Sequence, residues 1–120
     1  MEHIEVKEKT ITVVTDFHKK PYGRYVTDCP TCHETSGESF REKHLVPALR
    51  DFDKVTVDLT GFNRYGRSFL DESFGGLIRK CDFTKSQLDK KLKYIHNDLT
   101  SIITIIDERI NAAETHRLEG

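Results

Sequence analysis

The chain has no tryptophan, one methionine, three prolines and three cysteines, and it contains no long apolar run. Each shortage excludes something. Without about 20 consecutive apolar residues there is no helix to span a bilayer. Three cysteines cannot all pair within one chain and are too few for a disulfide scaffold. A preponderance of either charge is also missing. Lysine plus arginine number 19 and aspartate plus glutamate 20, so no global field draws the chain to nucleic acid or to an anionic membrane. The opening run Met1 to Lys9 lacks the basic start and apolar stretch of a secretion signal. The expected location is therefore the cytoplasm, where the cysteines would remain thiols or metal ligands. At 120 residues the chain is long enough for one domain with one core, expected over 1–120 with 1–9 as a disordered lead.

What is present is β-branched and amphipathic. Thr10-Ile11-Thr12-Val13-Val14-Thr15 is a dense β-branched run, and Arg24-Tyr25-Val26-Thr27 follows the turn-prone DFHKKPYG. The two predict an antiparallel hairpin with a long connection. Thr35 or Ser36 can cap a helix beginning near Glu38, with Phe40, His44, Leu45, Ala48 and Leu49 on its apolar face. Pro47 is expected to kink or break that helix near His44 to Val46, because it lacks an amide and its ring crowds the carbonyl of Lys43. Lys54 to Leu59 reads as a buried central strand. Ser68, with Asp71 three residues on, forms a capping-box arrangement for a helix whose inner face is Phe69, Leu70, Phe74, Leu77 and Ile78. Thr84 with Gln87 repeats the signature before a short helix around Ser86 to Lys91, and Leu92 to His96 alternates like a strand. Leu99, Ile102, Ile103, Ile106, Ile110 and Ala113 form a helical stripe, against a competing strand at Ser101 to Ile106. This order predicts an α/β fold, a small mixed sheet of about four strands covered by helices.

Two glycines, Gly75 and Gly76, stand inside the helix from Ser68, where each costs roughly 1 kcal/mol against alanine. They imply a close backbone approach, to the sheet or to a partner. The loop Tyr65-Gly66-Arg67 ahead of them exposes the first helical amides, whose partial positive charge suits an anion or a phosphorylated side chain.

The run SGESFREKHLVPALRDFDKVTVDLTGFNRYGRSFLDESFGGLIRK, Ser36 to Lys80, resembles the bacterial STAS-like domain family of unknown function. Its members share an S-G-x-x-F-R start, a P-A-L segment, a V-x-V-D-L-type strand and an S-F-L-x-E-x-F-G-G-L helix. That family is distantly similar to the STAS domains of anti-sigma-factor antagonists, in which a serine at the start of a helix after a central strand is phosphorylated by a partner kinase. The resemblance implies a STAS-like fold, a regulatory role without catalysis, and a histidine-kinase-like ATPase as protein partner. It also implies a partner-binding or phosphate-switch surface at Gly66, Arg67, Ser68, Asp71, Gly75 and Gly76. The usual D-S-S-G-L-like run is replaced here by Gly66-Arg67-Ser68-Phe69-Leu70, which leaves Ser68 to carry a phosphate.

The segment CPTCH suggests a different chemistry. Cys29 and Cys32 have the spacing to grip one zinc ion with His33, a distant His18, His44 or Cys81 completing the tetrahedron; the same pair could serve as a redox dithiol. The resembling family has a shorter link at this point, so these cysteines are not a family feature. Beside the regulatory reading there are thus two others: a zinc or thiol-redox protein, and a structural homodimer built on the isoleucine stripe. Lys80, Lys85, Lys90, Lys91 and Lys93 are interrupted by Asp82 and Asp89 and lack interleaved aromatic rings, which argues against nucleic acid. No serine, histidine and carboxylate fall at a spacing that argues a nucleophile.

Overall fold

The computed structural model describes residues 5–120. Of the expected lead, 1–4 lie outside the described residues, and Glu8 and Lys9 already belong to a strand. Strands β1 (Glu8–Thr12), β2 (Lys54–Asp58) and β3 (Leu92–Ile95) form one sheet in that order. Both pairings are parallel, with Ile11 opposite Val57 and Val57 opposite Tyr94. Parallel neighbours need a crossover, and helices provide it. After a short helical turn, α1 (Cys32–Thr35), come α2 over 37–51, α3 over 67–81, α4 (Lys85–Lys91) and α5 (Thr100–Glu119).

The sheet is therefore three-stranded and parallel, in place of the expected mixed sheet of about four strands with an N-terminal hairpin. Aspartate side chains explain the difference. The Asp16 carboxylate accepts the Thr12 amide at 2.7 Å, and Val13–Phe17 curls into a helical turn rather than extending β1. The Asp28 carboxylate accepts the amides of Arg24 (3.1 Å) and Tyr25 (2.9 Å), closing that segment as a turn. Side chains that bond nearby backbone in this way compete directly with sheet ladders.

Several local signals hold. The Ser36 hydroxyl caps α2 by accepting the Ser39 amide at 3.1 Å, and Thr84 and Gln87 form a complete capping box on α4. Pro47 neither breaks nor ends α2. The helix passes through a wide turn at Arg41–Leu45, where the Val46 amide reaches the carbonyl of Arg41 five residues back, and Pro47 enters in the first turn beyond it. One widened turn absorbs the missing amide.

Ile11, Val13, Val55, Val57 and Leu59 meet Phe40, Leu45, Leu49, Phe69, Leu70, Phe74 and Leu77 in one core. β2 is central as expected, but only one of its faces is sealed: Val55 and Val57 are buried while Thr56 and Asp58 are half-buried. The isoleucine stripe is helical, and Ile102, Ile106, Ile110 and Ala113 pack into the chain's own core. Of the stripe on which a homodimer was expected, these four positions thus face inward, while Leu99 and Ile103 are half-buried. No helix among the described residues is long and apolar enough to cross a membrane.

Candidate functional site

α3 carries the residues singled out from the sequence, and it sorts them into two environments. Asp71 and Glu72 lie in its interior stretch, within a second wide turn at Asp71–Gly75. Glu72 is 1% exposed. Its carboxylate receives Arg41 and Lys80 at 2.7 Å each and Arg24 at 3.3 Å. Asp71 receives Arg24 at 2.7 Å and Arg79 at 3.1 Å, with Arg109 of α5 at 3.8 Å. Arg41, itself buried, also donates to the backbone carbonyl of Glu72 at 2.7 Å and to Glu42 at 2.9 Å. Burial alone would push the Asp71 carboxyl up, but hydrogen bonds from Arg24 and Arg79 outweigh it and hold the group below the usual carboxylate range. For Glu72 the same burial is outweighed by Lys80 and Arg41. Carboxylates this saturated are poor proton acceptors, so the pair acts as a clamp rather than as an acid or base.

The clamp accounts for the glycines. A Cβ on Gly76 would strike the Arg41 guanidinium and lie 3.1 Å from its Cδ. One on Gly75 would lie 2.7 Å from Arg79, 3.1 Å from Asp71 and 3.3 Å from the Arg109 carbonyl. The close approach is to the arginines and to α5, not to the sheet. Gly75, Gly76 and Asp71 are buried, so they support a surface rather than form one.

Gly66, Arg67 and Ser68 are the exposed members of the set. α3 begins at Arg67 with Gly66 at its cap position, and no side chain caps it. Ser68 is thus inside the first turn and is not the N-cap, and Asp71 faces arginines instead of completing a capping box. The Ser68 hydroxyl makes no hydrogen bond among the described residues. Beside it runs a groove of about 510 Å³ lined by Tyr22, Arg24, Asp28, Arg64, Arg67 and Ser68. Tyr65 anchors the turn from below: it is buried and donates its hydroxyl to the Leu59 carbonyl at 3.1 Å, and burial pushes that hydroxyl well above its ordinary range.

The loop 21–31 forms the other bank of the groove. The amides of Gly37 and Glu38 donate to the carbonyls of Gly23 (2.9 Å) and Arg24 (3.0 Å), and Lys80 lies 4.8 Å from the centre of the Tyr25 ring. Cys29 and Cys32 are joined to each other as a disulfide, Cys32 fully buried. This differs from the expected free thiols. It engages both sulfurs that a zinc ion would need, and His33 is left exposed beside Glu34 at 3.7 Å. Among the described residues no group of three histidine, cysteine or acidic side chains is placed to hold a metal. Cys81, the remaining cysteine, has its thiol pushed up by burial, against a counteracting Arg41.

Arg24, Arg41, Arg79 and Arg109 were not legible as site residues in the sequence. The available hint was two adjacent acids, Asp71 and Glu72, set among Phe69, Leu70, Phe74 and Leu77, a place where charge persists only if paired. His96 was also missed. Buried at the end of β3, it accepts the amides of Asp98 and Leu99 through Nδ1 and donates Nε2–H to the Phe62 carbonyl at 2.9 Å.

No curated protein and no solved structure matches the chain. A family model described as a STAS-like domain of unknown function matches residues 36–101, just over half of the chain. The matched stretch holds α2, β2, α3, α4 and β3, and with them Arg41, Asp71, Glu72 and the glycine pair. The chain thus belongs to the family of STAS-like domains of unknown function.

Proposed function

We propose that the chain is a non-enzymatic regulatory binding module that exchanges protein partners through the exposed first turn of α3. The observation that carries this reading is the pairing of an unbonded, exposed Ser68 with a groove lined by Arg24, Arg64 and Arg67. A histidine-kinase-like ATPase is the partner type that the family resemblance implies. Transfer of the γ-phosphoryl group of ATP to the Ser68 oxygen, with loss of its proton and release of ADP, would place close to two negative charges beside those arginines. Arg24 links the two environments of α3. It lines the groove and also holds Asp71 and Glu72, so a phosphate on Ser68 would compete for it and loosen the 21–31 bank.

The test is to incubate the chain with ATP, magnesium and a histidine-kinase-like ATPase from the same genome, and to map any modification by mass spectrometry. One phosphate at Ser68, absent from Ser68→Ala, is the expected result. An unmodified chain, or a phosphate elsewhere, contradicts the switch. A second reading, thiol-redox chemistry at Cys29 and Cys32, is favoured over zinc by their pairing. Titration of accessible thiols together with metal analysis, before and after reduction, separates the two.

A further inference from the structure

Parallel strands deliver all their carboxyl ends to one edge of the sheet, where the loops that follow them gather. Here the edge bears a cleft of about 1100 Å³, lined by residues that follow each strand: His18, Lys20 and Tyr22 after β1, Phe62, Asn63 and Arg64 after β2, and Asp98 after β3. Its size is just above the usual range for small-molecule sites, about 300–1,000 Å³, so a ligand would fill only part of it.

The walls are held in place without a ligand. On one side His96 ties the Phe62 carbonyl to the amides of Asp98 and Leu99, and the Asn97 amide donates to the Thr60 hydroxyl at 3.0 Å. On the other, Tyr22 and Thr35 exchange bonds: the Tyr22 amide donates to the Thr35 carbonyl, and the Thr35 hydroxyl to the Tyr22 carbonyl, both at 2.9 Å. The Cys32 sulfur lies 3.7 Å from the same Tyr22 carbonyl. His18 Nδ1 accepts the Lys20 amide at 3.0 Å, which keeps a neutral ring's proton on Nε2.

The lining chemistry is selective. Lys20 and Arg64 both line the cleft, and neither has a carboxylate partner among the described residues, so both charges are free to meet a ligand. Tyr22 is 67% exposed, an aromatic ring that the core does not use, and Phe62 presents a second ring on the same cleft. Unpaired cations take an anionic group, exposed aromatic rings take a flat ring, and Asn63 and Asp98 can accept hydroxyl or amino protons. From this geometry we infer that the cleft binds a small organic phosphate carrying a flat, hydrogen-bonding ring, with its phosphate on Lys20 and Arg64 and its ring against Tyr22 and Phe62.

Nucleoside monophosphates are the simplest probes of that chemistry. Titration of the full chain with adenosine and guanosine monophosphate, followed by amide NMR shifts, should give saturable changes at Lys20, Tyr22, Phe62 and Arg64. The dissociation constant of at least one should fall below about 1 mM. The matching nucleoside and inorganic phosphate should each bind at least about tenfold more weakly, since each offers half of the recognition. Lys20→Ala should weaken the nucleotide about tenfold with an unchanged melting temperature. Lys20 does not line the groove at Ser68, so this variant leaves the partner-exchange reading untouched. Saturation by neither nucleotide, binding of the nucleoside as tight as of its phosphate, or parental affinity in Lys20→Ala would each overturn the inference.

Discussion

Arg67 and Ser68 stand about one helical turn from Asp71 and Glu72 on the same helix, yet the two pairs live under opposite physics. Glu72 is sealed and receives donors from Arg24, Arg41 and Lys80; Ser68 is open and bonds to nothing among the described residues. Buried charge of this kind is destructive when unpaired, so Asp71 and Glu72 fix α3 against α2, α5 and the 21–31 loop with little tolerance for change. The exposed turn carries no such burden. A fixed helix whose first turn is free of structural duty is what a recognition surface needs. Arg24 is where the comparison becomes a connection, since among the described residues it alone both grips the carboxylates and lines the groove beside Ser68.

The sharpest way to break the comparison is to unpair the buried side. Arg41→Met removes the donor to the Glu72 carboxylate and carbonyl and should lower stability by about 1–3 kcal/mol, the cost of a buried acceptor losing its donor while Lys80 and Arg24 still hold the charge. Urea unfolding measures it, and a loss within about half a kcal/mol, typical of a surface change, would mean the clamp does not hold the fold. Gly76→Leu acts on the same contact by overfilling it. The new side chain meets Arg41, which Glu72 holds in place, so a cost of about 1–3 kcal/mol is expected; Gly75→Leu should cost a similar amount against Arg79 and the Arg109 carbonyl. Unchanged thermal melts in both would refute the close approach.

Acid should find the same weak point more gently. Asp71 and Glu72 bind protons less readily folded than unfolded, so their contribution is complete above the unfolded carboxylate range, near pH 4, and is lost as pH falls through their lower folded values. Melting temperature followed downward from about pH 6 should therefore drop steeply below about pH 4. Arg41→Met should fall less steeply, because Glu72 then protonates nearer its ordinary value. Parallel curves for parent and variant would count against the assignment.

These contrasts also show what the sequence could reveal. The α5 stripe, the Thr84–Gln87 box and the Ser36 cap are local patterns with a period or a fixed offset, and each was readable. The glycine pair announced a tight contact but not its partner. Arg24 and Arg41 meet Glu72 across 48 and 31 residues of chain, and no spacing rule reaches that far. The hairpin failed for a subtler reason. Asp16 and Asp28 are ordinary turn residues in the sequence, and only their bonds to Thr12, Arg24 and Tyr25 decide that the first β-branched run ends as a strand at Thr12 and that the second becomes a turn. Ser68 looked like a cap because serine before an apolar run usually is one, whereas Gly66 takes the cap position and frees the hydroxyl.

Reversing the charge on the exposed side tests the central claim most directly. Arg67→Glu should leave stability within about half a kcal/mol, because it touches neither the core nor the clamp. Its affinity for a histidine-kinase-like ATPase from the same genome, measured by titration calorimetry beside the parent and Ser68→Asp, should fall at least several-fold, since a reversed charge at a contact repels or unpairs its partner. Ser68→Asp should also fold normally while binding with altered affinity, as a partial phosphate mimic. If both variants fold and bind that ATPase as tightly as the parent does, the first turn of α3 is only the start of a well-clamped helix, and the regulatory surface lies elsewhere on the chain.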